Sequence, residues 1–467
     1  MINAYILSKS HKFRSDIHYQ CVSNKITHLS VIIDNLSKRS KIKKNTAIVL
    51  KPSIPQNITH LWFDHYFNQK TILPQNITQL YFKADFNQKI KIPQNVTHLN
   101  FGLDFNQKIK LSHKITHLTF QYHFNRKIKI PQYIIKLDLG NYPDNKIRIS
   151  QNMIYLKISG YFNKKIKIPQ NIIYLKFGIE FNQKTIIPPN ITQIIFGFNF
   201  NKQISIPNSV THLTLGYFYR KKIIIPYNVT HLNLEKNLNK KIIIPQNVIY
   251  LTFGSNYTKK AIIPSNVKYL TFDCYFNIKV KIPTNIIFLT CGYSFNQKIK
   301  ISQNITRLVF DDMFNKKIIL PLNIIHLKFG NLFARKIKLS QNITHLTFGS
   351  IFNKKIKIPL SVTHLTFDDK FNHKIKIPSN ITHLNFDDDN EFNQKIKIPL
   401  SVTHLTLSDN FNHKIKISLN VTYLFYTGTN SHKIKIPQNL ICLYCYYNFI
   451  KKNKIQKNAK RAIHIIR

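Results

Sequence analysis

The chain is short of the residues that most often punctuate or staple a fold. Only 11 of its 467 residues are glycine and one is tryptophan, which argues against collagen-like or glycine-linker material. Five cysteines, Cys21, Cys274, Cys291, Cys442 and Cys445, are odd in number and scattered, so they do not make a disulfide framework. No stretch approaches the roughly 18 consecutive apolar residues of a membrane helix, and the first residues carry no signal-peptide core. The expected setting is therefore a reducing intracellular compartment, the cytoplasm, with no membrane partner. Glycine-rich phosphate loops, G-x-S-x-G and H-E-x-x-H are all missing, so neither an enzyme nor a cofactor is expected. Acidic residues are scarce as well. Nineteen Asp and Glu against 69 Lys and Arg leave a formal charge of +50. An A/T-rich genome would itself favour Lys, Asn, Ile, Phe and Tyr, so the placement of the charge says more than its size.

What the chain has is a repeat. A motif close to I-P-Q-N-I-T-H-L-x-F-G-x-x-F-N-Q-K-I-K recurs from Pro55 to Pro437, with proline or serine at each of 21 anchors. The step is 19 residues throughout, except for 21 between Pro378 and Pro399, where the acidic segment 387–391 adds two. A degenerate copy, Lys25-Ile26-Thr27-His28-Leu29, precedes them, followed by an irregular basic segment at 36–52. Length alone suggests about three domains, but a repeat of this kind overrides that count. The expected organisation is an N-terminal cap at 1–22, one repeat solenoid over 23–445, and a basic C-terminal cap or tail at 446–467.

Counted from the proline, apolar residues fall at −1, +3, +6, +8, +12 and +16; one repeat shows them as Leu73, Ile77, Leu80, Phe82, Phe86 and Ile90. Alternation in T-H-L-x-F predicts a strand with Leu and Phe inward. K-I-K-I alternates too and predicts a second strand, Ile inward and Lys outward. No segment has a 3.6-residue period, and nineteen residues holding two extended segments leave no room for a regular helix. One repeat cannot bury its apolar face alone, whereas stacked copies share a continuous core. The fold class is mainly β: a solenoid of about 21 stacked 19-residue coils, parallel strands, little or no helix.

The spacing I-P-x-N/S-I/V-T-x-L-x-F/L-G followed by F-N-Q-K-I resembles the FNIP repeat, a relative of the leucine-rich repeat. The resemblance runs over residues 23–445 and implies a leucine-rich-repeat-like scaffold for protein–protein interaction. Proteins of this kind occur in amoeboid organisms and large DNA viruses, which would put this one in a host cell. Some carry an N-terminal F-box that links them to a host ubiquitin ligase. Residues 1–22 are too few to hold one, so recruitment of substrates to a ligase rests on family analogy alone.

In a solenoid each repeat position becomes a column. Phe at +8 (Phe63, Phe82, Phe101, Phe120) and +12 (Phe67, Phe86, Phe105, Phe124) reads as a buried spine rather than a ligand groove. Asn at +13 (Asn68, Asn87, Asn106, Asn163, Asn353) is placed to bond backbone groups left open at a corner, much as leucine-rich repeats use a stacked Asn. The N-I-T sequons beginning at +2 are side effects of the repeat.

The +5 column points outward and is rich in His and Tyr, ending in the run His326, His345, His364, His383 and His404. This run is the expected binding face for an unknown protein partner. A straight row of imidazoles does not converge as a tetrahedral zinc site must, so no metal is expected there. Asp368 and Asp387 lie too far along their strands to close such a site.

The lysines fall at +15 and +17, two adjacent columns that hold 32 of the 69 basic residues. They include Lys89, Lys91, Lys108, Lys110, Lys127 and Lys129, and later Lys336, Lys338, Lys355 and Lys357. Two readings stand: a solvated, aggregation-resistant edge, or a stripe that binds a polyanion such as nucleic acid without sequence preference. Cys442 and Cys445 form a C-x-x-C that strand alternation would split, one thiol outward and one inward.

Overall fold

In a computed structural model the chain forms two compact units, Met1–Val229 and Thr230–Arg467. The structure describes residues 4–8, 28–33, 54–426, 436–446 and 462–466, less 125, 127, 129, 141–148, 159, 236–241, 256, 258–261 and 388. The irregular segment 36–52 therefore lies outside the described residues, as do most of the expected terminal segments. Within those segments, however, two strands are in place. Ala4–Ser8 pairs with His28–Ile33, and Ala462–Ile466 pairs with Cys442–Tyr446.

Each unit repeats one coil, and each coil contributes one short strand. In the first unit the strands run from His60–Phe63 to His212–Leu215, each parallel to the one before. In the second they run from His231–Leu234 to Tyr423–Tyr426 in the same way. The register is strictly positional, with Leu61 beside Leu80 and Phe348 beside Phe367. Such a register is self-selecting, because slipping a strand by one residue would turn every inward Leu and Phe to solvent. No helix occurs among the described residues, and none is long and apolar enough to cross a membrane.

Two turns per coil follow from local chemistry. At the proline, the +3 amide donates to the proline carbonyl, as Ile58 N does to Pro55 O at 3.2 Å. After the strand, the +12 amide donates back to +9, as Phe352 N does to Gly349 O at 3.1 Å. The +9 backbone rides directly on the coil below. A Cβ at Gly102 would lie 1.5 Å from Lys83 O, so this coil can approach its neighbour only because the side chain is missing.

The core lies inside the coil. Ile77, Leu80, Phe82 and Phe86 are at most 1% exposed, and the same four columns are buried in coil after coil. Phe348 and Phe367 stack at 5.6 Å, Phe352 and Phe371 at 6.3 Å, with ring planes within 9°. The Phe columns are thus a packed spine.

The expected second strand is absent. K-I-K-I alternates as expected, with Lys89 and Lys91 exposed and Ile92 buried, but Ile90 is only half-buried and no such segment forms a strand among the described residues. The spacing of the coils explains this. Equivalent rings repeat at 4.1 Å in the +5 column (His364–His383), 5.6 Å at +8 and 6.3 Å at +12. A backbone ladder needs about 4.8 Å between strands, and the rings already stand farther apart than that at +8 and +12, on the way to K-I-K-I.

Side-chain amides bridge the gap on that side. Asn87 Oδ1 accepts from Asn106 N at 2.9 Å and from Gln107 Nε2 at 3.0 Å, one coil on. The +13 asparagine therefore does what its corner position predicts. The +2 asparagines form a second ladder, with Asn76 Nδ2 donating to Gln56 O at 2.8 Å and Asn304 Nδ2 to Thr284 O at 2.9 Å.

Candidate interaction face and lysine edge

The outer face of the strands carries the +5 and +7 side chains, and both are half-buried by their neighbours. In the second unit the rings of His345, His364, His383 and His404 stack at 4.1 Å with planes 12–14° apart. His326 joins at 4.2 Å but tilts by 31°, and Tyr423 closes the row at 4.3 Å. The five histidines expected to share a face do so.

In His345, His364, His383 and His404 the preceding threonine sets the tautomer, whereas His326 follows Ile325. Thr363 Oγ1 donates its only proton to Thr344 O at 3.2 Å and lies 2.9 Å from His364 Nδ1. With that proton committed, the oxygen can only accept, so Nδ1 carries the hydrogen and Nε2 is left as an outward acceptor. Thr382–His383 and Thr403–His404 repeat the arrangement. Burial, then repulsion from neighbouring imidazoles, lowers the pKa of His345 and His364 below the usual value, and pushes His383 down to about 4. These three rings are neutral at pH 7. Their free nitrogens point the same way rather than converging.

Where the strands of this run end, carboxylates gather. One ligand oxygen from each of Asp368, Asp369 and Asp387 lies within 4.8 Å of the others, close enough for a hard cation that takes oxygen ligands. Burial and hydrogen bonds among the three raise Asp368 to about 7. From the sequence, Asp368 and Asp387 enter only as partners for the histidines; the signal for the carboxylate group itself is the Asp-Asp pair at +9 and +10 recurring in adjacent coils. No histidine of the +5 column is part of it.

The first unit shows a second feature that went unread. Trp62 and Tyr81, outward at +7 in adjacent coils, stack at 5.6 Å with planes 7° apart, and His60 lies 5.9 Å from Trp62. A lone tryptophan at an outward strand position was the available signal. Tyr155 and Tyr174 stack at 4.2 Å in the +5 column of the same unit.

The lysine columns lie on the part of the coil away from the strands. Lys89, Lys91, Lys108, Lys110, Lys336, Lys338, Lys355 and Lys357 are all exposed, while Lys127 and Lys129 lie outside the described residues. The nearest ring column, +12, repeats at 6.3 Å, wider than a strand ladder. Repulsion between neighbouring lysines is accordingly about 0.7 kcal/mol in water before salt screening.

Of the four described cysteines, all are free thiols and only Cys274 is exposed. Cys442 and Cys445 are both buried, contrary to the outward–inward split expected of C-x-x-C. In register Cys442 holds an outward position beside Tyr423 and Ala462, and it is buried all the same. Burial raises Cys445 to about 11, so it is a thiol rather than a reactive thiolate.

One parallel strand per coil, a buried Leu/Phe interior and an asparagine ladder at the corner define a repeat scaffold of leucine-rich-repeat type. The solved structure of CroV588, described as a novel circular LRR protein, is similar at 28% identity and a TM-score of 0.58 over 99% of this chain and 72% of that one. YopM from Yersinia enterocolitica WA-314 is similar at 13% identity and a TM-score of 0.42 over 83% of this chain and 85% of that one. No curated protein matches the sequence. The FNIP Repeat family model matches residues 67–104, 181–218, 219–256, 239–275, 295–332, 333–370 and 392–419, together more than half of the chain. The chain belongs to the FNIP repeat family.

Proposed function

We propose that the chain is a non-catalytic scaffold that binds another protein across the outer face of its strands, centred in the second unit on His326–His404. The observation that carries this reading is the stacked, neutral imidazole row. It is a flat, half-exposed surface whose rings are already ordered, so a partner would pay little to immobilise it. Its outward Nε2 atoms offer a regular series of hydrogen-bond acceptors, matched to donors of a partner rather than to a cation. Aromatic side chains on the same kind of face, Trp62 and Tyr81 in the first unit, are of the types that dominate interface energetics.

The reading is tested by comparing affinity captures from host-cell extract with three baits. These are the unaltered chain, the variant His345→Ala/His364→Ala/His383→Ala, and a control in which Lys336, Lys338 and Lys355 become Gln. Partners lost from the histidine variant alone, with an affinity drop of about tenfold or more, support the strand face. An identical partner set for the first two baits moves the site elsewhere.

A further inference from the structure

The lysine edge of the second unit is unlike the rest of its surface. Eight successive coils, anchored from Pro264 to Pro399, present sixteen side chains at +15 and +17. Fifteen are lysine, all exposed; Ile319, 90% exposed, is the single exception. Each lysine pair is rooted by a buried apolar residue at its end, such as Leu339, Ile358 and Ile377, 5–8% exposed, so the columns are held in register by the core.

Charge is also sorted around the coil. Every acidic residue after Val229 falls at +9 to +11 or in the two-residue insertion there, and none lies in the arc that carries the lysines. Among the described residues the one Lys–carboxylate ion pair of this unit, Lys370–Glu391, belongs to the acidic side. The fifteen lysines therefore have no carboxylate partner among the described residues.

The spacing adds a measure. Successive coils are 6.1–6.4 Å apart at the neighbouring +12 column from Phe276 to Phe411. Two lysines per coil make about one positive charge every 3 Å, close to the ~3.4 Å of axis per phosphate in one strand of a nucleic acid.

We infer that this edge binds the sugar–phosphate backbone of a nucleic acid laid along the coil stack, independently of base sequence. The phenylalanines of the neighbouring +12 column are inside the coil, and no ring interrupts the lysine columns, so there is nothing along the edge to stack on bases. Binding comes from counterion release, so its strength is set by salt and length, not by sequence. The edge is on a different part of the coil from the strand face, which leaves the proposed protein site free.

The test is fluorescence anisotropy of the full chain with end-labelled 30-residue oligonucleotides of two unrelated sequences, at roughly 50–300 mM salt. The expected result is equal affinity for both sequences and a linear fall of log K with log salt, about 0.7 per neutralised phosphate for a single strand. Lys336→Glu, Lys338→Glu, Lys355→Glu and Lys357→Glu together should lower affinity at least tenfold and flatten the slope. The control Lys136→Glu, Lys176→Glu, Lys268→Glu and Lys328→Glu makes the same charge change near the strands, and should lower affinity far less. Should the edge variant lose its circular dichroism spectrum, Lys→Gln at the same four positions serves instead. Equal losses from the two blocks would reduce the binding to net charge and overturn the assignment. So would a flat salt response, or binding to heparin without binding to the oligonucleotides.

Discussion

Single side chains do different work according to whether their polar atoms are satisfied. Asn87 Oδ1 takes two donors from the next coil, at a level where the backbones no longer reach each other. Asn87→Ala leaves both donors without that acceptor and should destabilise the fold by about 1–3 kcal/mol, read from the denaturant midpoint; an unchanged midpoint would mean the amide ladder is decoration. Tyr219 is the opposite case. It occupies a position of the buried phenylalanine column, and its hydroxyl finds no hydrogen-bond partner among the described residues. Burial also raises its pKa to about 12. Tyr219→Phe removes a desolvated hydroxyl while keeping the ring, and should stabilise by about 1 kcal/mol. A loss of stability on calorimetry would show that the hydroxyl is bonded in solution.

At the scale of the coil, the imidazole row couples the strand face to pH. His345, His364 and His383 have folded pKa values below the ordinary value of about 6.5. A base whose pKa is depressed on folding contributes fully above its unfolded pKa and loses that contribution as pH falls through it towards the folded value. The window is thus about 6.5 down to about 4 for His383. Asp368 acts in reverse, since a carboxyl raised to about 7 favours the folded state as pH falls. The two are separated by difference. The melting temperature of His345→Gln/His364→Gln/His383→Gln should fall less between pH 7 and pH 5 than that of the unaltered chain, and parallel curves would contradict the stacked, neutral row.

Most of the coil was legible from the sequence because burial is periodic. Leu80 and Phe82 alternate in a strand, Ile77 and Phe86 close it, and Asn87 sits at the corner. What stayed hidden depends on distance between coils rather than on pattern within one. Lys89–Ile92 alternates as well as any strand, yet whether it pairs is decided by the widening from 4.1 to 6.3 Å across the coil. The histidine tautomer was hidden for a related reason, since Thr363 spends its proton on a carbonyl one coil away. The burial of Cys442 was hidden as well, since it stands beside a strand, Ala462–Ile466, that lies outside the repeat.

For the molecule as a whole, charge and shape are separate designs laid on one repeat. The interior is the same from coil to coil, whereas the surface is sorted into a strand face with neutral rings, an acidic rim beside it and a lysine edge. A net charge of +50 must be held against its own repulsion. Raising salt from roughly 50 to 300 mM shortens the Debye length and should raise the melting temperature; a fall would mean that attractive pairs outweigh the repulsion.

All these faces depend on equivalent residues lying side by side, and that register can be read directly. Cysteines at His364→Cys and His383→Cys, Cα partners in adjacent strands, are set about 4.8 Å apart, within the reach of a disulfide. Mild oxidation followed by peptide mass spectrometry should find the 364–383 link in high yield. The offset pair His364→Cys with Asn385→Cys, two residues along the neighbouring strand on the same face, should link poorly. Equal yields from the two pairs, or none from the first, would contradict the in-register stack.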